Sequence, residues 1–573
     1  MKYFFLIILF AFYFVHADAQ NVSEYFKSGN EKAKLLVYRE GFRRFSMQNV
    51  LGAHLQDSTS SLRYKQDSSI DYQGAILDYN SAIELQPNSA EIYVNRAICY
   101  FEISDFKKSF SDFDKAVELN PFLSEAYLNR AIAKFIQSRI EEALSDINKA
   151  LDLKPDDVVN IFGRGVIKYE LNDFNGALLD FDRAIKLKSN FYEAYLARAG
   201  LKSDNGDYQA ALLDFGIAIS LMPNDGDAYY NQGLTKIKMK DYRGALIDLN
   251  KAIELRPDQA ASLVSRGVAK DNLADYRGAI LDYDKSILLN PSYSIAYLNR
   301  AISERHLGNT TDAFKDFDKA LELKEDAEVY YNLGAMKSDM KNYVEAIKDL
   351  DKAIKLNPTF SEAYFIRGNA YFSLKNYEVA IFDFEKSIEI LPTSYAYLSL
   401  GISKFQLNKI GESILAFNKS IALNPNIFEP FYNRGIAKHQ IKDYKGSIDD
   451  FDKAIELKSD TAQAYVNRGV AKSEIADYKG SIADFTIAIK LQPKSDMNYF
   501  VRGISKMYLK DFKGAILDLD KSINLNPQNA KAYLSRGIIK IASNQNESGC
   551  KDLYKAKELG DTTASTVIKS SCK

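Results

Sequence analysis

The sequence predicts an all-α fold, a solenoid of stacked helical hairpins, and three observations carry that expectation. The chain aligns with itself at an offset of 34 residues almost throughout, as 124–157 does with 462–495. Within each unit, apolar residues recur at helical spacing in two stretches of about a dozen residues. Eleven of the twelve prolines fall at one register, position 32 of the unit, Pro430 being the exception. A chain of 573 residues would otherwise suggest three or four domains, but repetition lengthens one stack without starting a new core.

Sixteen units run from Val22 to about Ala564, fourteen of 34 residues and two, 294–326 and 361–393, of 33. Small residues at positions 8, 20 and 27 let two helices approach closely. Position 8 is Gly or Ala in fifteen units, and position 20 is Ala, Ser or Gly in all sixteen. Asp or Asn stands at position 16 in twelve units, for instance Asp105, Asp241 and Asn342, where it can cap the second helix. Proline at position 32 then closes that helix and helps launch the next. The units within 22–89 are degenerate: Arg44 and Gln48 replace the usual Asp and Ala, and Arg63 occupies a small-residue position inside the Ser-rich stretch 58–69. They are expected to form an atypical end.

At the other end the spacing predicts a second helix near 547–558, a Gly560-Asp561 turn and a capping helix within 562–573. Cys550 and Cys572 are then level across the turn and are expected to form a disulfide. Cys99 is left as a buried free thiol.

These units resemble the tetratricopeptide repeat. The signature places an aromatic, a small residue, then Ala, an aromatic or large apolar group, Ala and Pro at fixed offsets; in 124–157 these are Tyr127, Ala131, Ala143, Ile147, Ala150 and Pro155. The resemblance implies a right-handed superhelical solenoid that binds other proteins through a groove lined by its first helices. The chain is not expected to be an enzyme or to hold a cofactor, because its glycines and carboxylates follow the 34-residue rhythm and form no phosphate-cradling loop or catalytic cluster. The cytosolic co-chaperone variant of the family needs Lys at position 5 and Asn at position 9, whereas this chain has pairs such as Val94 and Ile98.

Composition agrees with a protein-binding role. Lys and Arg total 75 against 76 Asp and Glu, so nothing marks a nucleic-acid partner. His54, His306 and His439 lie far apart, and no His or Cys falls at metal-ligand spacing. Residues 1–19 read as a cleaved signal peptide: Lys2 precedes an apolar run from Tyr3 to Val15, followed by Ala17-Asp18-Ala19. Repeats then fill 20–563, with no later run long enough for an integral membrane segment. Export places the protein in a periplasm or outside a cell, and the Ala17-Asp18-Ala19-Gln20 start resembles that of an exported bacterial protein.

Three features are candidates for function. In the resembled fold, positions 5, 9 and 12 face the groove, and three successive units make that stripe wholly apolar: Val94, Ile98, Phe101; Leu128, Ile132, Phe135; Phe162, Val166, Tyr169. Such a patch is expected to accept an apolar segment or amphipathic helix, unless packing within the stack already covers it. Asn at position 6, as at Asn95 and Asn129, can hold a bound peptide backbone or satisfy local amides. Arg at position 7 accompanies Asp at position 23 in eleven units, and the two are equidistant from the turn. They are expected to pair across the hairpin, each pair contributing about 0.2–1 kcal/mol if exposed. The alternative to this pairing is an Arg-lined anion groove, and the alternative to a binding scaffold is a passive spacer or arm in an envelope assembly.

Overall fold

The computed structural model describes residues 71–572 together with Lys27 and Asn30. The signal peptide, most of the degenerate units including Arg44, Gln48 and Arg63, and Lys573 lie outside the described residues. Among the described residues there are thirty α-helices and no strand. None of these helices is long and apolar enough to cross a membrane. Helices alternate between a first helix of 13 residues, such as Ala462–Glu474, and a second of 14, such as Tyr478–Leu491, with the first helix Ser294–Leu307 one residue longer and the second helix Asn546–Glu558 one shorter. The described chain falls into two compact units, one ending at Glu325 and the other starting at Asp326.

Local chemistry fixes each hairpin. The residue at position 15 turns the chain in the left-handed region: Ser104 at φ 65° and Lys442 at φ 64° do so without being glycine. The turn returns the Asp105 N–H to the Tyr100 carbonyl at 2.8 Å, closing the first helix. Asp at position 16 then caps the second helix, and the residue at position 19 sets how well. Asp173 accepts from Gly176 N–H at 2.9 Å and Asp241 from Gly244 N–H at 2.9 Å. Where a side chain replaces that glycine the bond stretches, to 3.3 Å at Lys108 and 3.4 Å at Ala210. A Cβ on Gly176 would lie 2.1 Å from Asp173 Oδ2, so the glycine makes room for the capping carboxylate.

Across the hairpin, all eleven Arg–Asp pairs form, each through two parallel hydrogen bonds. In Arg468 and Asp484 these run from Nε to Oδ2 at 3.0 Å and from NH2 to Oδ1 at 2.5 Å. The same guanidinium reaches back to the preceding repeat, where NH1 donates to Asp452 at 2.6 Å. Lys472 closes the group at 2.9 Å from Asp484. One arginine therefore ties three helices. The pairs are largely buried, so the figure for exposed pairs does not apply: the Asp484 side chain is only 2% exposed and that of Arg468 15%. Hydrogen bonding to Asp316 likewise holds the Arg300 guanidinium above its ordinary range, against the opposing effect of burial.

Repeats 226–259 and 327–360 have Gln232 and Leu333 in place of the arginine yet keep Asp248 and Asp349, which a lysine meets at 2.7 and 2.6 Å. In repeat 394–427 both partners are gone, with Leu400 and Ala416 in their places, and Lys404 turns to Glu412 and Glu385, both at 3.1 Å. Removing one partner of a buried ion pair costs about 3–5 kcal/mol, because the other charge stays desolvated. Arg468→Leu is expected to lose stability at the low end of that range, since Lys472 still reaches Asp484. Adding Asp484→Ala should recover most of the loss. Denaturant unfolding of the two variants checks this, and a double variant less stable than the single one would contradict it.

Candidate partner-binding surface

Of the two readings that the sequence leaves for the early apolar stripe, the structure shows cover by packing within the stack. Val94, Ile98, Phe101, Leu128, Ile132, Phe135, Phe162 and Val166 are all at most 5% exposed and belong to one continuous cluster running from Ala90 to Leu201. Bulk is the reason. Phe101 packs edge-on to Phe106 of its own second helix at 5.0 Å, and Phe162 packs on Phe181 at 5.5 Å and Phe191 at 5.3 Å. Large rings at these positions fill the face that smaller ones would leave open. Only Tyr169 is half-buried; its ring lies 5.5 Å from Phe174 and its hydroxyl donates to Asp204 at 3.0 Å. Burial, together with Asp204, pushes that phenol's pKa up.

The position-6 asparagines mostly serve the chain itself. Asn299, Asn332 and Asn433 each donate to the carbonyl four residues back at 2.8–2.9 Å, as i−4 back-bonding does. Asn95 donates to Asn30 at 3.2 Å and Asn467 to the Tyr432 hydroxyl at 3.1 Å. Asn129 is buried with its Oδ1 unpaired, and Asn231 is buried with both amide atoms unpaired.

The second compact unit carries the open version of the stripe. Its clearest member is the first helix Asp496–Tyr508, which has apolar residues at Met497, Phe500, Val501, Ile504, Met507 and Tyr508. That spacing repeats one apolar stripe over two heptads. The residues this helix buries are small or polar instead, namely Asn498, Gly503 and Ser505. Ser505 belongs to a cluster of hydroxyls: Ser481 lies 2.7 Å from Ser473, which stands at the register of Phe101, and 3.0 Å from Ser505. Met497 and Tyr508 are left 55% and 58% exposed, and the four residues between them are half-buried. Val466 and Val470 extend the strip on one side; half-buried Leu534 and exposed Ile538 extend it on the other. The strip carries no free charge, since Arg502 and Lys506 are both held by Asp518, at 2.6 and 2.8 Å.

A sequence signal for this strip existed. Among the described first helices, only Asp496–Tyr508 is apolar at positions 2, 5, 6, 9, 12 and 13 together. Reading positions 5, 9 and 12 alone passed over Met497, Val501 and Tyr508.

Tetratricopeptide-repeat family models match residues 90–122, 124–157, 226–259 and 428–461, then 264–328, then 327–360 and 361–394. The chain is a tetratricopeptide-repeat protein. Repeats of this family are protein–protein interaction scaffolds and are generally non-catalytic. No curated protein matches the chain. Among solved structures it is similar to the APC/C hetero-tetramer Cut9–Hcn1, at 16% identity, covering 96% of this chain and 99% of that one, with a TM-score of 0.44. A tetratricopeptide repeat protein from Parabacteroides merdae matches at 19% identity over 43% of this chain and 98% of its own, TM-score 0.38. YrrB, described as having an unusual peptide-binding site, matches at 21% identity over 32% and 94%, TM-score 0.28.

The C-terminal end of this repeat protein is closed by Ala564–Ser571, which buries Ala564 and Ile568. Cys550 and Cys572 are disulfide-bonded with their Cα atoms 5.7 Å apart, and Cys99 is a buried free thiol whose pKa burial pushes up. An eight-residue helix has little stability of its own, so the crosslink holds it in place. Reduction is expected to release protection of the 562–572 amides in hydrogen exchange and leave earlier repeats unchanged. Equal protection with and without reductant would contradict this.

Proposed function

We propose that this chain is a non-enzymatic scaffold that holds an amphipathic helix of a partner protein against the strip on Asp496–Tyr508. The observation that carries this reading is the two-heptad apolar stripe with Met497 and Tyr508 in solvent. A soluble protein seldom leaves a contiguous apolar patch wet without a use for it, and a helical stripe is matched by another helix. Methionines at both ends favour this further, because flexible thioethers adapt to different apolar partners.

The same proposal places the scaffold in a periplasm or outside a cell. Two features support export: the basic start, apolar run and small-residue site in 1–19, and a disulfide, which persists best in an oxidising compartment.

Cross-linking in the native setting, purification of the chain and mass spectrometry of what comes with it tests the reading. Met497→Ser/Ile504→Ser/Tyr508→Ser is expected to lower partner yield by about tenfold or more, the effect of losing a central anchor, while the helical circular dichroism is unchanged. A folded triple variant that recovers the same partners at the same yield would sink the proposal.

A further inference from the structure

Glycine follows Asn or Asp at three places in the chain: Asn175-Gly176, Asn205-Gly206 and Asp225-Gly226. Such a pair carries a chemistry of its own, which is one reason asparagine is a thermolabile residue. The backbone nitrogen of the following residue attacks the side-chain carbonyl carbon and closes a five-membered imide. Glycine hinders that approach least, because it has no Cβ and lets the backbone swing. The fold decides which pair can react, since the attacking nitrogen must leave its own hydrogen bond first.

Two of the three pairs are held. Asn175 lies in the first turn of helix Phe174–Leu187, and the Gly176 N–H donates to the Asp173 carboxylate at 2.9 Å. That carboxylate keeps the proton on the nitrogen and repels the negative charge of a deprotonated amide. Asp225 is 3% exposed, and its carboxylate accepts from the Tyr192 hydroxyl and from the Asp227 N–H. An ionised carboxylate is a poor target for a nitrogen nucleophile.

Asn205-Gly206 is different. Residues 204–207 are all exposed, and among the described residues the Asn205 side chain has no hydrogen-bond partner. Gly206 turns the hairpin at φ 81°, and its N–H donates to Ser203 O at 3.2 Å. In the other described hairpins the bond at this register is shorter, as at Lys240 with 2.8 Å and Ala274 with 2.9 Å. The turn itself does not demand glycine, because Ala274 and Ala476 make it at φ 61°. A Cβ at Gly206 would meet nothing within 4 Å, so the nitrogen is open to approach.

We propose that Asn205 is a site of spontaneous deamidation, the one Asx-Gly pair that the fold leaves reactive. The Gly206 nitrogen gives its proton to hydroxide and bonds to Asn205 Cγ; the Cγ–Nδ2 bond then breaks, and the nitrogen leaves as ammonia. Water opens the imide at either carbonyl, giving aspartate or isoaspartate. Both products add a negative charge beside Asp204, which already accepts from the Tyr169 hydroxyl at 3.0 Å and Lys238 at 2.8 Å. Isoaspartate also lengthens the backbone inside the bond that closes the hairpin, from the Asp207 N–H to Lys202 O at 2.9 Å. The modification therefore loosens one turn of the first compact unit.

Peptide mapping by mass spectrometry, on the folded full-length chain sampled over time in mildly alkaline buffer, tests this. The Asn205 peptide is expected to gain the mass of an amide-to-acid exchange and to split into aspartate and isoaspartate products. The Asn175 peptide should react at least about tenfold more slowly in the folded chain, and at a similar rate in urea-unfolded chain. Gly206→Ala, a residue the turn already accepts elsewhere, should slow Asn205 at least about tenfold with unchanged helical circular dichroism. The proposal is overturned by an Asn205 that stays intact in the folded chain for as long as the unfolded chain needs to react. Equal rates at Asn205 and Asn175 in the folded chain, or an equal rate in Gly206→Ala, overturn it as well. None of these outcomes bears on the strip at Asp496–Tyr508, so failure here leaves the proposed function intact.

Discussion

The bidentate pair between Arg at position 7 and Asp at position 23 is the contact on which the hairpins depend. Helical propensity and apolar faces would bring two helices together without fixing their rotation about each other. A guanidinium that must place Nε and NH2 on the two oxygens of one buried carboxylate does fix it. Because its third nitrogen reaches position 25 of the preceding repeat, as Arg130 does to Asp114 at 2.8 Å, the same group sets the step from one repeat to the next. Burial makes the pair decisive: the Asp383 side chain is 0% exposed, and a carboxylate there without its partner would be severely destabilising.

With the hairpins held this way, the first helices are free to vary on the face bearing positions 5, 9 and 12, and the two compact units use that freedom differently. From Ala90 to Leu201 the positions hold large rings and branched chains that interlock into a single core. On Asp496–Tyr508 of the second unit the buried residues are Asn498, Gly503 and Ser505; Phe500 and Met507 pack partly against the core while Met497 and Tyr508 stay exposed. Identical register therefore yields a sealed face in one unit and an apolar strip in the other. What lies beneath each side chain decides, and that is set by volume at other positions.

This also explains which parts were legible in the sequence. The 34-residue period, the small residues at 8 and 20 and the matched Arg and Asp are local or strictly periodic, and the helices and ion pairs follow them. The burial of Asp484 was not legible, because it depends on how closely Arg468 and Lys472 close over it from the facing helix. Nor was the sealing of Phe101 and Phe162: an apolar residue on a binding face and one packed on Phe106 or Phe191 have the same hydropathy. The fit between Asp173 and Gly176 was hidden for a similar reason, since the glycine reads as a turn residue until the carboxylate is seen occupying the place of its Cβ.

The claim that these arginines hold the stack together is most directly tested by hydrogen exchange followed peptide by peptide along the native chain. Repeats 226–259 and 394–427 have Gln232 and Leu400 in place of the arginine and lie between repeats that have it or are otherwise alike. The account predicts that their second helices, Tyr242–Leu255 and Ile410–Leu423, open at lower free energy than the arginine-tied Tyr208–Leu221 and Tyr444–Leu457. Equal protection in all four helices, or slower exchange in the two that lack the arginine, would contradict it.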